Sequence, residues 1–327
     1  MGGIVLAALV SLSWSAASLW IGPRLGIVDH PDDPTLKAHD RPAVPLGGVG
    51  VFAGVHVGLW VEGLFDPGLL AATGLLLVLG LIDDLRRLSP VVRLVGESGA
   101  GALLVLMSDL SFFDRGLAFQ IVGAALVVVA VNAVNLFDGL DGLVGTTAAI
   151  TGVGMAGLAV QRGLDPGPGW IVALAMIGFI VLNWHRARVF LGDNGAYVVG
   201  GLLAYGILAT GPDGTEFVIG LGLLGVFGLD VIVAVLRRRL NRRPLFEGDR
   251  SHIYDQLRDR GLSVPAVAVV AGGAQAVVVI LVLLVDGVGG WLGVALVSVL
   301  GVALVVGAWS AGFLRVEEDQ VDSPPGA

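Results

Sequence analysis

The chain predicts an all-α integral membrane protein of about eleven membrane-spanning helices, N-terminus outside and C-terminus cytoplasmic. Apolar residues make up 55% of it and charged residues only 14%, too few to cover the surface of a soluble domain of 327 residues. The apolar residues also gather in runs approaching the roughly 20 residues a helix needs to cross a bilayer. Orientation comes from the loops: 17 of the 19 lysines and arginines fall on one alternate set, leaving only Arg115 and Arg162 on the other. Cytoplasmic loops collect such residues, and a miscounted helix would scramble the alternation.

The predicted spans lie near 3–22, 44–64, 68–82, 94–107, 116–135, 142–160, 170–184, 195–210, 216–236, 264–285 and 290–314. The first lacks a basic leader segment and reads as a spanning helix, not a cleaved signal peptide. The third, fourth, seventh and eighth are short for a full crossing. Trp20, Trp60, Trp170, Trp184 and Trp291 stand near span ends, where interfacial anchors belong. Residues 1–315 form a single polytopic domain, and 316–327 (VEEDQVDSPPGA) an acidic tail with the composition of a disordered segment. No repeat of fixed period is present.

Composition excludes several kinds of chemistry. A net charge of −8 argues against a nucleic-acid partner. The absence of cysteine removes disulfides, thiolate catalysis and cysteine zinc sites, and the five histidines include no H-E-x-x-H pair.

Five polar motifs remain, all on the basic side. Asp83 and Asp84 end the third span in a stretch that continues Arg86-Arg87-Leu88-Ser89-Pro90; adjacent carboxylates there must be solvated, paired or bound to a cation. A solvated helix end balanced by the two arginines is the plain alternative. In Asn132-Ala133-Val134-Asn135-Leu136-Phe137-Asp138-Gly139-Leu140-Asp141-Gly142, Asn132, Asn135, Asp138 and Asp141 recur every third residue, a helical spacing that shares a face. Asp193 sits between glycines in Phe190-Leu191-Gly192-Asp193-Asn194-Gly195, beside helix N-terminal amides, as a metal–phosphate site or a simple cap would place it. The largest cytoplasmic loop, 237–261, carries eight arginines, of which Arg250, with His252, is a site candidate. The others serve topology and anionic lipid. Lys37, the only lysine, stands in Lys37-Ala38-His39-Asp40-Arg41-Pro42 and can hold a phosphate as a point charge. Carboxylates for a divalent cation beside cations for phosphate point to phosphoryl transfer, with Mg²⁺ or Mn²⁺ preferred over zinc by hard oxygen donors.

These motifs, in this order from about Asp29 to Leu257, resemble the polyprenyl-phosphate N-acetylhexosamine-1-phosphate transferases, glycosyltransferase family 4. The stretch NAVNLFDGLDGL is the most specific, with DDLRRLSP and FLGDNGA beside it. KAHDRPAVPLGG is closer to the undecaprenyl-phosphate N-acetylglucosamine-1-phosphate transferase branch. The resemblance implies eleven helices, Mg²⁺ dependence and a site at the cytoplasmic face of the cell (inner) membrane. It implies a sugar-1-phosphate moved from a UDP-N-acetylhexosamine to a polyprenyl phosphate, with UMP released, as the first membrane step of an envelope glycan. A homodimer is compatible with it. Matched by position, Asp193 is the principal Mg²⁺ ligand with Asn135 beside it. Asp83 and Asp84 lie near the lipid phosphate, Asp83 as the base. Asp138 and Asp141 line the nucleotide and metal pocket, and Lys37, Asn132, Asn135, Arg250 and His252 bind substrate. Asp230, in GLDVIVAVLRRR, matches a family carboxylate. Where that branch carries His-Ile-His-His, this chain reads His252-Ile253-Tyr254-Asp255, which leaves the sugar open.

The rival expectation is a membrane transporter or lipid flippase, with Asp230 and Glu97 as coupling carboxylates near the bilayer midplane.

Overall fold

The structure, a computed structural model, describes residues 1–29, 41–242 and 252–315. Lys37, Arg250 and the tail 316–327 therefore lie outside the described residues. The rest is helical: α1 (Gly2–Leu25), α2 (Gly47–Val61), α3 (Pro67–Arg86), α4 (Pro90–Met107), α5 (Leu117–Phe137), α6 (Leu143–Gln161) and α7 (Gly167–Asn183) come first. They are followed by α8 (Gly192–Thr210), α9 (Gly214–Leu221), α10 (Gly225–Leu240), α11 (Ile253–Asp259), α12 (Val264–Asp286) and α13 (Gly290–Ser310). Among the described residues extended pairing is limited to two isolated bridges, Asp29 with Ala43 and Val44 with Val189.

Each of the eleven predicted runs falls on a helix. Among the described residues eight helical units are long and apolar enough to cross a membrane: α1, α3, α4, α5, α6, the continuous stretch Gly214–Leu240 that contains α9 and α10, α12 and α13. Two shorter apolar helices, α2 and α7, accompany them. Together these make an all-α, multi-pass membrane protein. The outward faces carry Val, Leu, Ile and Trp side chains left exposed by the protein itself, as on α13, where Trp291, Leu292 and Val299 all face outward. Such faces are stable only against lipid or another apolar surface.

Helix α8 differs from the rest. It is buried along almost its whole length and packs on α2, α3, α5 and α6. Its sequence, GDNGAYVVGGLLAYGILAT, supplies the small residues that let neighbouring backbones approach closely. Helix starts are set locally. Asp66 accepts from the Leu69 amide at 2.7 Å and starts α3, with Pro67 in the first turn; Ser89 and Pro90 do the same for α4, as do Ser263 and Pro265 for α12.

The ninth predicted run is not one regular helix. A 3₁₀ turn, Gly222–Leu224, separates α9 from α10. Gln275 of α12 completes the broken backbone: its amide nitrogen donates to the Leu223 carbonyl at 2.7 Å and its carbonyl oxygen accepts from the Val226 amide at 3.4 Å. An interrupted helix inside a membrane needs such a donor and acceptor, because lipid offers neither.

Candidate active site

At the end of the bundle where the basic loops emerge, a cavity of about 380 Å³ opens. Five carboxylates line it: Asp29, Asp84, Asp138, Asp141 and Asp193, together with Asn135 and Asn183. They arrive from separate elements. Asp84 comes from the last turn of α3, Asn135 from the last turn of α5, Asp138 and Asp141 from the turn into α6, and Asp193 from the first turn of α8.

Asp84 and Asp141 are held by the protein. Asp84 accepts from the backbone amides of Asp193 (2.8 Å) and Asn194 (3.2 Å) and from the Asn194 side-chain amide (2.7 Å). It thereby caps α8 from a different helix, where α8's own preceding residue, Leu191, has no side chain able to cap. Asp141 accepts from the Ala187 amide at 3.1 Å and lies 2.9 Å from His185 Nδ1. Asn183 ties the same region together, accepting from the Gly142 amide and donating to the Val189 carbonyl, both at 2.9 Å.

Asp138 and Asp193 differ: among the described residues neither side chain has a hydrogen-bond donor. Burial, and then the like charges of Asp193, Asp84 and Asp141, push the Asp138 carboxyl up to about 8. A carboxyl whose ionised form is penalised by burial and like charges is one a nearby cation would stabilise. Among the described residues no three acidic or histidine side chains close into a metal cage by themselves.

The structure places the remaining sequence candidates elsewhere. Asp83 is buried, at 4% exposure, and does not line the cavity: it accepts from the Leu88 amide (2.5 Å) and the Tyr197 hydroxyl (2.6 Å), with Arg93 at 3.5 Å. Asn132 lies outside the cavity too, donating to Glu97 at 2.5 Å and to the Val128 carbonyl at 2.9 Å. His252 is buried against Asp230, Nδ1 to Oδ2 2.6 Å, and Asp230 also accepts from the Ile253 amide at 2.7 Å. The Tyr254 ring stacks on His252 and its hydroxyl donates to the Leu136 carbonyl at 3.2 Å, fastening α11 to the end of α5. Sequence reasoning missed Tyr197, Asn183 and the pairing of His185 with Asp141. All three depend on contacts between distant helices and leave no local pattern.

Comparison with known proteins agrees with this architecture. Residues 67–211, which include Asp84, Asn135, Asp138, Asp141 and Asp193, match the family model described as Glycosyl transferase family 4. A Bacillus subtilis protein named "Probable undecaprenyl-phosphate N-acetylglucosaminyl 1-phosphate transferase" is 28% identical over 74% of this chain and 73% of its own length. A glycosyltransferase candidate of Streptomyces coelicolor is 34% identical over 77% of this chain, which spans 61% of that relative. The decaprenyl-phosphate N-acetylglucosaminephosphotransferase of Mycobacterium tuberculosis is 26% identical over 79% of this chain and 75% of its own length. The apolar helices and these matches agree: the chain is similar to glycosyl transferase family 4, whose model covers the stretch 67–211 that carries most of the cavity's carboxylates.

Proposed function

We propose that the protein transfers N-acetylhexosamine-1-phosphate from a UDP-sugar to a polyprenyl phosphate, as the first membrane step of an envelope glycan. The observation that carries the reading is the cavity itself, with five carboxylates brought together from four separate segments and two of them, Asp138 and Asp193, without hydrogen-bond donors among the described residues. Two acidic substrates approaching that wall would be repelled without an intervening cation.

The donor set suits Mg²⁺. That ion takes hard oxygen ligands, keeps several waters, and is commonly held by one or two carboxylates and the substrate's phosphates, not by a closed protein cage. Asp193 and Asp138, with the Asn135 amide beside them, would hold it. When bound, it would neutralise diphosphate charge and stabilise the departing UMP. Mn²⁺ has the same donor preference.

The chain's own groups supply position. Asp84 fixes the first turn of α8, so Asp193 enters the cavity from a rigid helix. Asp141, steadied by the Ala187 amide, holds the turn that presents Asp138. An oxygen of the polyprenyl phosphate attacks the sugar-bearing β-phosphorus, the bond to the α-phosphate bridging oxygen breaks, and UMP leaves with that oxygen. The attacking phosphate is already ionised at neutral pH and needs little help from a base. The basic loops around the site support a cytoplasmic-facing cavity in the cell membrane, because the UDP-sugar pool is met there and Arg86, Arg87, Arg186 and Arg188 follow the positive-inside rule.

The transport alternative lacks support. Its coupling carboxylates are engaged within the fold, Glu97 by Asn132 and Asp230 by His252 and the Ile253 amide. The deciding experiment gives purified protein a panel of UDP-sugars and a polyprenyl phosphate, and follows UMP with Mg²⁺ or a chelator. Metal-dependent UMP release with a UDP-N-acetylhexosamine supports the proposal. No turnover with any of them sinks it.

A further inference from the structure

Adjacent carboxylates Asp83 and Asp84 both reach α8, but at different heights. Asp84 caps its first turn at Asp193 and Asn194. Asp83 takes the Tyr197 hydroxyl, one turn further along. Residues 193 and 197 are spaced i, i+4 and share a helix face, so whatever fixes Tyr197 also fixes the direction of Asp193.

We infer that Tyr197 is a positioning residue for Asp193: bonded to the buried Asp83 carboxylate, it sets the rotation of α8 and so where the Asp193 carboxylate points in the cavity. The inference rests on the transfer reading only in taking Asp193 as a metal-holding group.

Three observations support it. Asp83 is not available to a substrate, since Leu88, Tyr197 and Arg93 surround its oxygens and it is 4% exposed. Tyr197 is buried at 1% exposure, and a phenol there needs a partner. Helices α3 and α8 also touch backbone to backbone just above the strut: a Cβ on Gly80 would lie 2.3 Å from Asn194 Cα. That close approach lets side chains tie α3 to α8 at two heights: Asp84 holds the α8 start, and the Tyr197 to Asp83 bond adds a second tie one turn on, which limits rotation of α8 about the first. Arg93 from α4 completes the arrangement by facing the buried charge.

The test compares Mn²⁺ binding by the full-length protein in detergent, followed by electron paramagnetic resonance, with UMP release measured alongside. Tyr197→Phe keeps the ring and removes the hydroxyl. It should weaken Mn²⁺ about ten-fold, the lower end of what losing a group that orients a ligand costs. Asp83→Asn should have a similar effect, and the double variant should be no worse than the worse single one, because both remove the same strut. Wild-type Mn²⁺ binding in Tyr197→Phe overturns the inference. So does an Asp83→Asn protein that binds Mn²⁺ normally yet releases no UMP, since that carboxylate would then act on substrate directly. Failure of the wild type to turn over any UDP-sugar would defeat the transfer reading and leave the metal comparison intact.

Discussion

His252 Nδ1 lies 2.6 Å from Asp230 Oδ2 with both side chains almost wholly buried, joining the start of α11 to the middle of α10. The same carboxylate accepts from the Ile253 amide, so it anchors both the side chain and the backbone at the helix start. Removing one partner of a buried, hydrogen-bonded pair costs about 3–5 kcal/mol, because the other is left stranded. Asp230→Ala should therefore lower the unfolding temperature in detergent sharply, while Asp230→Asn, which can still accept from Ile253, should lower it less. Equal stability of the two variants would show that the backbone contact contributes nothing.

The anchor matters to the cavity because α11 leans on the turn that carries Asp138. The Tyr254 ring covers Gly139, where a Cβ would sit 2.3 Å from a ring carbon. Gly139→Ala must push the ring or the turn aside, an overpacking cost of about 1–3 kcal/mol. With Asp138 the adjacent residue, UMP release should fall by about 100-fold, the scale expected of a displacement near 1 Å. Pairing it with Tyr254→Ala should restore part of the rate by opening space. No recovery in the double variant would place the damage in the turn's own backbone.

The membrane class was legible because lipid imposes a long-range rule on composition, and every predicted apolar run became helix. The break between α9 and α10 was not legible, since it depends on Gln275 arriving from a helix about fifty residues later in the chain. At the site, Asp84, Asn135, Asp138, Asp141 and Asp193 meet as their motifs suggested. Asn132 does not join them, although its spacing from Asn135 puts both on one helical face: Glu97 of α4 captures it first. Spacing along a helix ranks neighbours on that helix. It says nothing of which partner a packed helix will bring.

Gln275 offers a direct check on the broken span. Its amide serves Leu223, Val226 and also the Thr151 hydroxyl, to which it donates at 2.9 Å. Gln275→Leu matches its size but strands a carbonyl and an amide in an apolar setting, at about 1–3 kcal/mol for each group left unsatisfied. Gln275→Glu keeps an acceptor for Val226 and loses the donor to Leu223. Thermal unfolding should rank wild type above both variants, and a Gln275→Leu protein as stable as wild type would show that the 3₁₀ turn satisfies itself.

Asp193 and Asp84 should separate activity from stability. Asp193 accepts no hydrogen bond among the described residues and faces like charges, so Asp193→Asn removes repulsion and breaks nothing in the fold. Its unfolding temperature should equal or exceed that of the wild type, while Mg²⁺-dependent UMP release falls by about 10³-fold or more, as when a group aimed at developing charge is lost. Asp84→Ala removes the acceptor for two α8 amides and the Asn194 side chain, and should lose stability and turnover together. If Asp193→Asn instead melted early with activity per folded molecule intact, Asp193 would be a structural cap, and the cation would have to be held by Asp138 and Asn135 without it.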